Sequence, residues 1–136
     1  MKFVKKHVDG FTLPELMVVL VIVGILVLLA LPSLLPLITK AKSLEAQQSL
    51  RMVHQLERSH YYQYSRFSDD LDRIGFEYGG KFITEGGNVN YQVEIVESGP
   101  TNFLAKATAL ADWDNDGQFN TWTIDHEGDL RETIRD

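Results

Sequence analysis

Cysteine is absent from all 136 residues, which excludes disulfide stapling and thiolate metal sites and leaves packing, hydrogen bonds or a metal held by other side chains to secure the fold. No lysine or arginine stands between Lys6 and Lys40, and neither glycine nor proline interrupts residues 37–74. Catalytic signatures are equally scarce: there is no Gly-rich phosphate loop, no G-x-S-x-G and no H-E-x-x-H, and His7, His54, His60 and His126 are scattered. An enzyme is therefore not expected. Basic charge is short as well. The net charge is -6, and beyond residue 10 the chain holds 10 basic and 18 acidic side chains. Nucleic acid is not an expected partner, because phosphate neutralisation calls for clustered Lys and Arg.

What is abundant is apolar surface, concentrated near the N-terminus. Residues 16–31 contain no charge, and the uncharged run continues to Thr39. A helix over residues 16–38 would be about 34 Å long, enough to cross a hydrocarbon core of about 30 Å. Lys2, Lys5 and Lys6 precede it, so the N-terminal side is expected in the cytoplasm and the acidic remainder outside. An ordinary secretory signal places a small-residue cleavage site after its apolar stretch, and no such site follows here.

Thr12-Leu13-Pro14-Glu15 has the form of a capping box, with Thr12 as N-cap and Glu15 reaching back to it. Proline is tolerated in that first turn. Glu15 at the edge of so long an apolar run needs a positive partner once the helix is bundled with others. The nearest cation available to it is an α-amino group created by cleavage, its own or a neighbour's.

The stretch Lys-Lys-His-Val-Asp-Gly followed by Phe-Thr-Leu-Pro-Glu-Leu-Met-Val-Val-Leu resembles the class III signal of type IV prepilins and pseudopilins, carried by residues 6–32. The resemblance implies cleavage between Gly10 and Phe11 by a prepilin peptidase and N-methylation of Phe11. It also implies that Glu15 pairs with the N-terminal amine of an adjacent subunit and sets its register. Gly24 and Pro32 fall where the family places helix-weakening residues. Glycine costs about 1 kcal/mol of helix propensity and proline removes a ladder bond, so the stretch between them is the easiest to melt. Pro36 is additional to the family pattern. Many pilins close their C-terminal region with a disulfide, which this chain cannot do.

From Lys40 onward, charged residues interleave with Ala41, Leu44, Ala46, Leu50, Val53 and Leu56 at spacings of three and four, which predicts an amphipathic helix continuing the first. It is expected to end between residues 64 and 68 and to pack on a small sheet. His60, Tyr61, Tyr62, Tyr64 and Phe67 are expected in the core or at subunit contacts. A loop then begins at Ser68, anchored by Leu71 and Ile74. Strands are expected at residues 81–84, 89–95, 103–109, 119–124 and 130–134, from alternation and from the Gly and Pro turns between them. The fold class is α+β: a long N-terminal helix on a small antiparallel sheet.

Asp112, Asp114 and Asp116 precede Gly117 at alternate positions, like the opening of a calcium loop. Thr123 stands where an EF-hand needs its bidentate Glu, so only Asn120 or Asp125 is left to complete a looser calcium site. Asn-Asp-Gly is equally strong turn chemistry.

Four segments are thus expected: a leader at 1–10, a transmembrane and filament-core helix at 11–38, its amphipathic continuation at 39–67, and a β-rich domain at 68–136. The expected function is a structural subunit of a type IV pilus, held in the inner membrane as a precursor and then in a homopolymeric filament on the cell surface. The resemblance further implies an assembly platform, a motor ATPase and a secretin as partners. A type II secretion pseudopilin and a minor tip adhesin are the alternatives. The Trp-Gly/Pro-Tyr or Asp-Pro-Trp-Gly stretch sought for a major pseudopilin is absent.

Overall fold

A computed structural model describes residues 10–135. The element order is a helix α1 (Leu13–Tyr64), a single 3-10 turn (Ile83–Glu85) and four strands, β1 (Tyr91–Ser98), β2 (Phe103–Ala109), β3 (Thr121–Asp125) and β4 (Leu130–Ile134). The strands form one antiparallel meander in the order β1-β2-β3-β4. The chain divides into two units, one running to Leu37 and the other from Ile38. The expected α+β class is the one observed.

In the second unit, one stripe of α1 is buried: Ser43, Ala46, Leu50, Val53, Glu57 and His60. Steps of three and four residues place these side chains on one helix face. They meet the inward face of the sheet, where Phe103, Ala105, Ala107 and Ala109 alternate with outward residues and join Tyr91, Val93 and Ile124. Small alanines along β2 bring the helix close, and Phe67, Ile74 and Phe76 complete the core. Burying a side chain such as Leu50 or Val53 contributes about 1.5–3 kcal/mol.

Polar ties fix the helix to the sheet as well. Glu45 accepts the backbone N–H of Asn90 at 2.8 Å and of Tyr91 at 3.3 Å, and the Asn90 amide at 2.7 Å. Lys42 lies over the Trp113 ring at 4.6 Å, and His54 Nε2 meets the carbonyl of His126 at 3.2 Å. The helix ends where Ser65 adopts φ 57 and donates its N–H to the Tyr61 carbonyl at 2.7 Å, a left-handed cap of the kind glycine more often supplies.

Strands β2 and β4 occupy the ranges expected for them. β1 begins two residues later than expected and runs three further, past a bulge at Val96, and β3 covers residues 121–125. The strand expected at 81–84 does not form. Phe82 makes one isolated parallel bridge to Val89, and Ile83–Glu85 close a 3-10 turn ended by Gly86 at φ 76. The N–H groups of Gly87, Asn88 and Val89 turn back to the carbonyls of Phe82 and Lys81. The glycines on either side thus fold the segment on itself before a neighbouring strand can pair with it.

The aromatic cluster divides. Phe67 and His60 are buried, with Phe67 5.0 Å from Phe103, but Tyr61, Tyr62 and Tyr64 are exposed. Residue 62 falls off the buried stripe, and residues 61 and 64 keep its spacing but lie past its last buried residue, His60, at the end of the helix, so the core expectation fails for all three within the chain. Ala41 and Leu44, expected to face the sheet, lie off the stripe as Tyr62 does and are exposed.

Candidate functional site

The site proper to this chain is the first unit. Every described side chain from Phe11 to Ile38 is exposed, and no part of its most apolar 18-residue window is buried. The segment is helical from Leu13, and it is long and apolar enough to cross a membrane. Its apolar residues point in all directions, so no one-sided packing accounts for them.

The start of the helix is built as its residue types require. The Thr12 N–H donates to Glu15 Oε2 at 2.8 Å, and the Thr12 hydroxyl donates to the same oxygen at 2.9 Å. The Glu15 N–H returns to Thr12 Oγ1 at 3.4 Å. The capping box is thereby closed, and Glu15 is held at the first turn with Phe11 exposed beside it. Gly10 is described. Residues 1–9 of the expected leader lie outside the described residues.

Gly24 and Pro32 both lie within the helix, which continues through them and through Pro36. A Cβ added at Gly24 meets nothing within 4 Å, so among the described residues no contact demands glycine there. Pro32 offers no N–H to the ladder, and beside it Ser33 donates its hydroxyl to the Ala30 carbonyl at 2.8 Å.

The acidic loop is also formed. Ligand atoms of Asp112, Asp114 and Asp116 lie within 4.8 Å of one another. Their oxygens serve the loop's own backbone: Asp112 accepts the N–H of Asn115 at 2.7 Å and of Gly117 at 2.8 Å. Asp114 accepts that of Asp116 at 3.0 Å, and Asp116 that of Gln118 at 2.7 Å. Burial pushes the Asp112 carboxyl up, but the N–H groups of Gly117, Asn115 and Asp116 together outweigh it and hold it below the ordinary aspartate value.

Asn120 and Asp125 do not join that trio. Buried Asn120 accepts from the Tyr91 hydroxyl at 2.6 Å and the Trp122 indole at 2.9 Å, and donates to Glu132 at 2.8 Å and the Ile134 carbonyl at 3.1 Å. Its amide is spent fastening β1, β3 and β4 together. Asp125 accepts the N–H groups of Glu127 and Asp129, both at 3.0 Å, in a separate turn.

One residue the sequence reading passed over is Glu57. It is fully buried, Oε2 accepts the Ser68 N–H at 2.9 Å, and Oε1 has no hydrogen-bond partner among the described residues. Burial raises its carboxyl above the ordinary value, against the Ser68 N–H and His60, which lower it. Its position, four residues after Val53 and three before His60 in the three-four stripe, was the available signal.

Comparison with known proteins bears on the same N-terminal segment. Residues 5–31 match the model of the prokaryotic N-terminal methylation motif. The type IV major pilin protein PilA of Myxococcus xanthus (strain DK1622) is 37% identical over 67 residues, 49% of this chain. The chain spans only 30% of that relative's length. Among solved structures, the Neisseria meningitidis non-core minor pilin PilV shares the fold with a TM-score of 0.53 at 18% identity, over 73% of this chain and 92% of that one.

Proposed function

From the premise that this chain is a type IV pilin-like protein, we propose that it is a structural subunit of a type IV pilus, polymerising through residues 11–38. The observation that carries the proposal is the exposed apolar surface around the whole N-terminal helix, from Phe11 to Ile38. A surface of that extent is compatible with two surroundings, lipid and other apolar helices, and a subunit that moves from one to the other uses both.

In this reading a prepilin peptidase cuts after Gly10, and the new N-terminus at Phe11 is methylated. The precursor waits in the inner membrane with its acidic domain outside. Assembly exchanges lipid for the helices of other copies, and the filament is displayed on the cell surface. Glu15 then trades its Thr12 hydrogen bonds for the amine of a neighbouring Phe11, a charge partner absent from the rest of the apolar run. Gly24, which no contact among the described residues requires, and Pro32 bound the segment that extends under load. A platform protein, a motor ATPase and a secretin serve the assembly. The Asp112 loop acts as a turn. Calcium is the competing occupant, favoured by the convergence of Asp112, Asp114 and Asp116.

The test is deletion of the gene, with the cell surface imaged and secretion assayed. Loss of long fibres with secretion intact is the expected outcome. Loss of secretion with fibres intact supports a type II secretion pseudopilin instead. Fibres that persist but no longer adhere support a tip adhesin.

A further inference from the structure

Charge is segregated within the second unit. Residues 39–67 carry five basic side chains, Lys40, Lys42, Arg51, Arg58 and Arg66, against two acidic ones, Glu45 and Glu57. Both acids face the sheet side: Glu45 is bound to Asn90 and Tyr91, and Glu57 is buried under Ser68. The sheet and its loops are the reverse, with 14 acidic and 5 basic side chains over residues 68–135.

The basic excess is ordered along the helix. At 3.6 residues per turn, Lys40, Arg51 and Arg58 fall within about 20° of one another and extend over about 27 Å of helix. All three are exposed. On the sheet side Arg73 pairs with Asp69 at 3.2 Å, Lys106 with Glu94 at 2.6 Å and Arg135 with Glu132 at 3.7 Å, and Arg131 pairs with Asp129. Among the described residues no carboxylate pairs with Lys40, Arg51 or Arg58. Arg58 instead donates to the Tyr62 hydroxyl at 3.1 Å, which steadies it on the same stripe.

We propose that this stripe is a docking surface for the acidic sheet-and-loop face of a second copy of the chain. The inference rests on the reading of the chain as a self-assembling subunit. A positive ridge that the described residues leave without carboxylates, on a molecule whose sheet and loops carry them in excess, fits its own copy by charge complementarity. Apolar helices alone slide along and around one another; a charged ridge outside them opposes misaligned copies, because like charges brought together across an interface are strongly disfavoured.

The test expresses the full chain in the cell that encodes it, deleted for its own copy. Four forms are compared: wild type, a Lys40→Glu/Arg51→Glu/Arg58→Glu triple, the corresponding glutamine triple, and Lys81→Glu as an exposed control away from the stripe. Immunoblots measure subunit in the membrane fraction and in the sheared extracellular fraction. The glutamate triple is expected to keep its membrane level while its extracellular level falls at least about tenfold, with the control unchanged. An extracellular level within about twofold of wild type overturns the proposal. Should the glutamate triple also vanish from the membrane, the glutamine triple is judged by the same two outcomes. An anionic lipid surface is the other occupant to test. A triple that loses flotation with phosphatidylglycerol vesicles yet keeps its extracellular level overturns docking between copies. A wild type absent from the extracellular fraction refutes the filament reading itself, a result distinct from a triple that assembles as well as wild type.

Discussion

The two ends of helix α1 differ in composition, one uncharged and apolar and the other striped with charge, and they differ in what surrounds them. In residues 13–37 apolar side chains point all round and every described one is exposed. In residues 38–64 they are thinned to a stripe, and Ala46, Leu50 and Val53 vanish completely from the surface. Gly24, Pro32 and Pro36 lower the helix propensity of the first stretch alone, yet both stretches are helical, so what separates the two is the partner: the second stretch carries its own sheet, and the first is written for surroundings that the chain does not supply. Folding stability should therefore reside in the buried stripe of the second stretch and the apolar drive to assemble in the first, and the two should be separable by mutation.

The largest expected effect is on truncation. A fragment beginning at Ile38 should fold, melt cooperatively by circular dichroism and sediment as a monomer, with assembly abolished. A fragment without a melting transition would break the comparison, since it would make the apolar stretch a part of the domain's stability. Within that fragment Leu50→Ala should lower stability by about 2–5 kcal/mol in urea denaturation, the cost of a cavity under a closely packed sheet. In the full chain Leu20→Ala should leave the same transition in place.

Glu15→Ala should sharpen the contrast from the other direction. It removes a carboxylate from the first helix turn, far along the chain from the core, so the melting transition of the domain should stay unchanged. Filament yield should fall, read as the extracellular against the membrane fraction. A normally assembling Glu15→Ala subunit would end the registration role, and the capping box with Thr12 would then be the whole account of this residue.

Glu57 is the exception inside the buried stripe. Its carboxyl is raised in the folded state by burial, so the native protein binds that proton more tightly than the unfolded chain. The stability it contributes is full below the ordinary glutamate value of 4.5 and is lost as pH rises from there through the raised folded value. Glu57→Gln keeps an acceptor for the Ser68 N–H and removes the charge. The variant should match wild type in urea denaturation at pH 4 and exceed it at pH 7 by roughly 1 kcal/mol. Equal stabilities at both values would show that the native site accommodates the charge without penalty.

Legibility in the sequence followed the same divide. The N-terminal stretch was readable because its signal is local: the Thr12–Glu15 box, the uncharged run and the motif around Gly10 need no tertiary information. β2 and β4 were readable from alternation bounded by turns. The segment at 81–84 was misread because its apolar residues fit a strand, while the glycines beside it favour closure of the loop on itself. Glu57 was missed because residue type argues for solvent, and only its place among Leu50, Val53 and His60 argues for the interior. Tyr62 and Tyr64 failed in the opposite sense: aromatic type argued for the core, while the phase of Tyr62 and the place of Tyr64 as the last residue of the helix put them outside.

The smallest expected effect concerns the Asp112 loop, and it separates a turn from a metal site. Each aspartate there caps backbone N–H groups of its own loop, with Gly117 at φ 85 and Asn115 at φ 60 supplying left-handed positions that a tight turn requires. Asn120, a ligand the looser calcium site would recruit, is already bound on both sides of its amide. The turn reading expects no gain from a cation. Adding calcium, or a chelator, should move the melting temperature by less than about 1 °C, well inside the 4–8 °C that 1 kcal/mol produces in a domain of this size. Ligand binding to the native state alone would raise it with concentration. A calcium-dependent rise abolished by Asp112→Asn would overturn the turn reading and establish calcium in the loop.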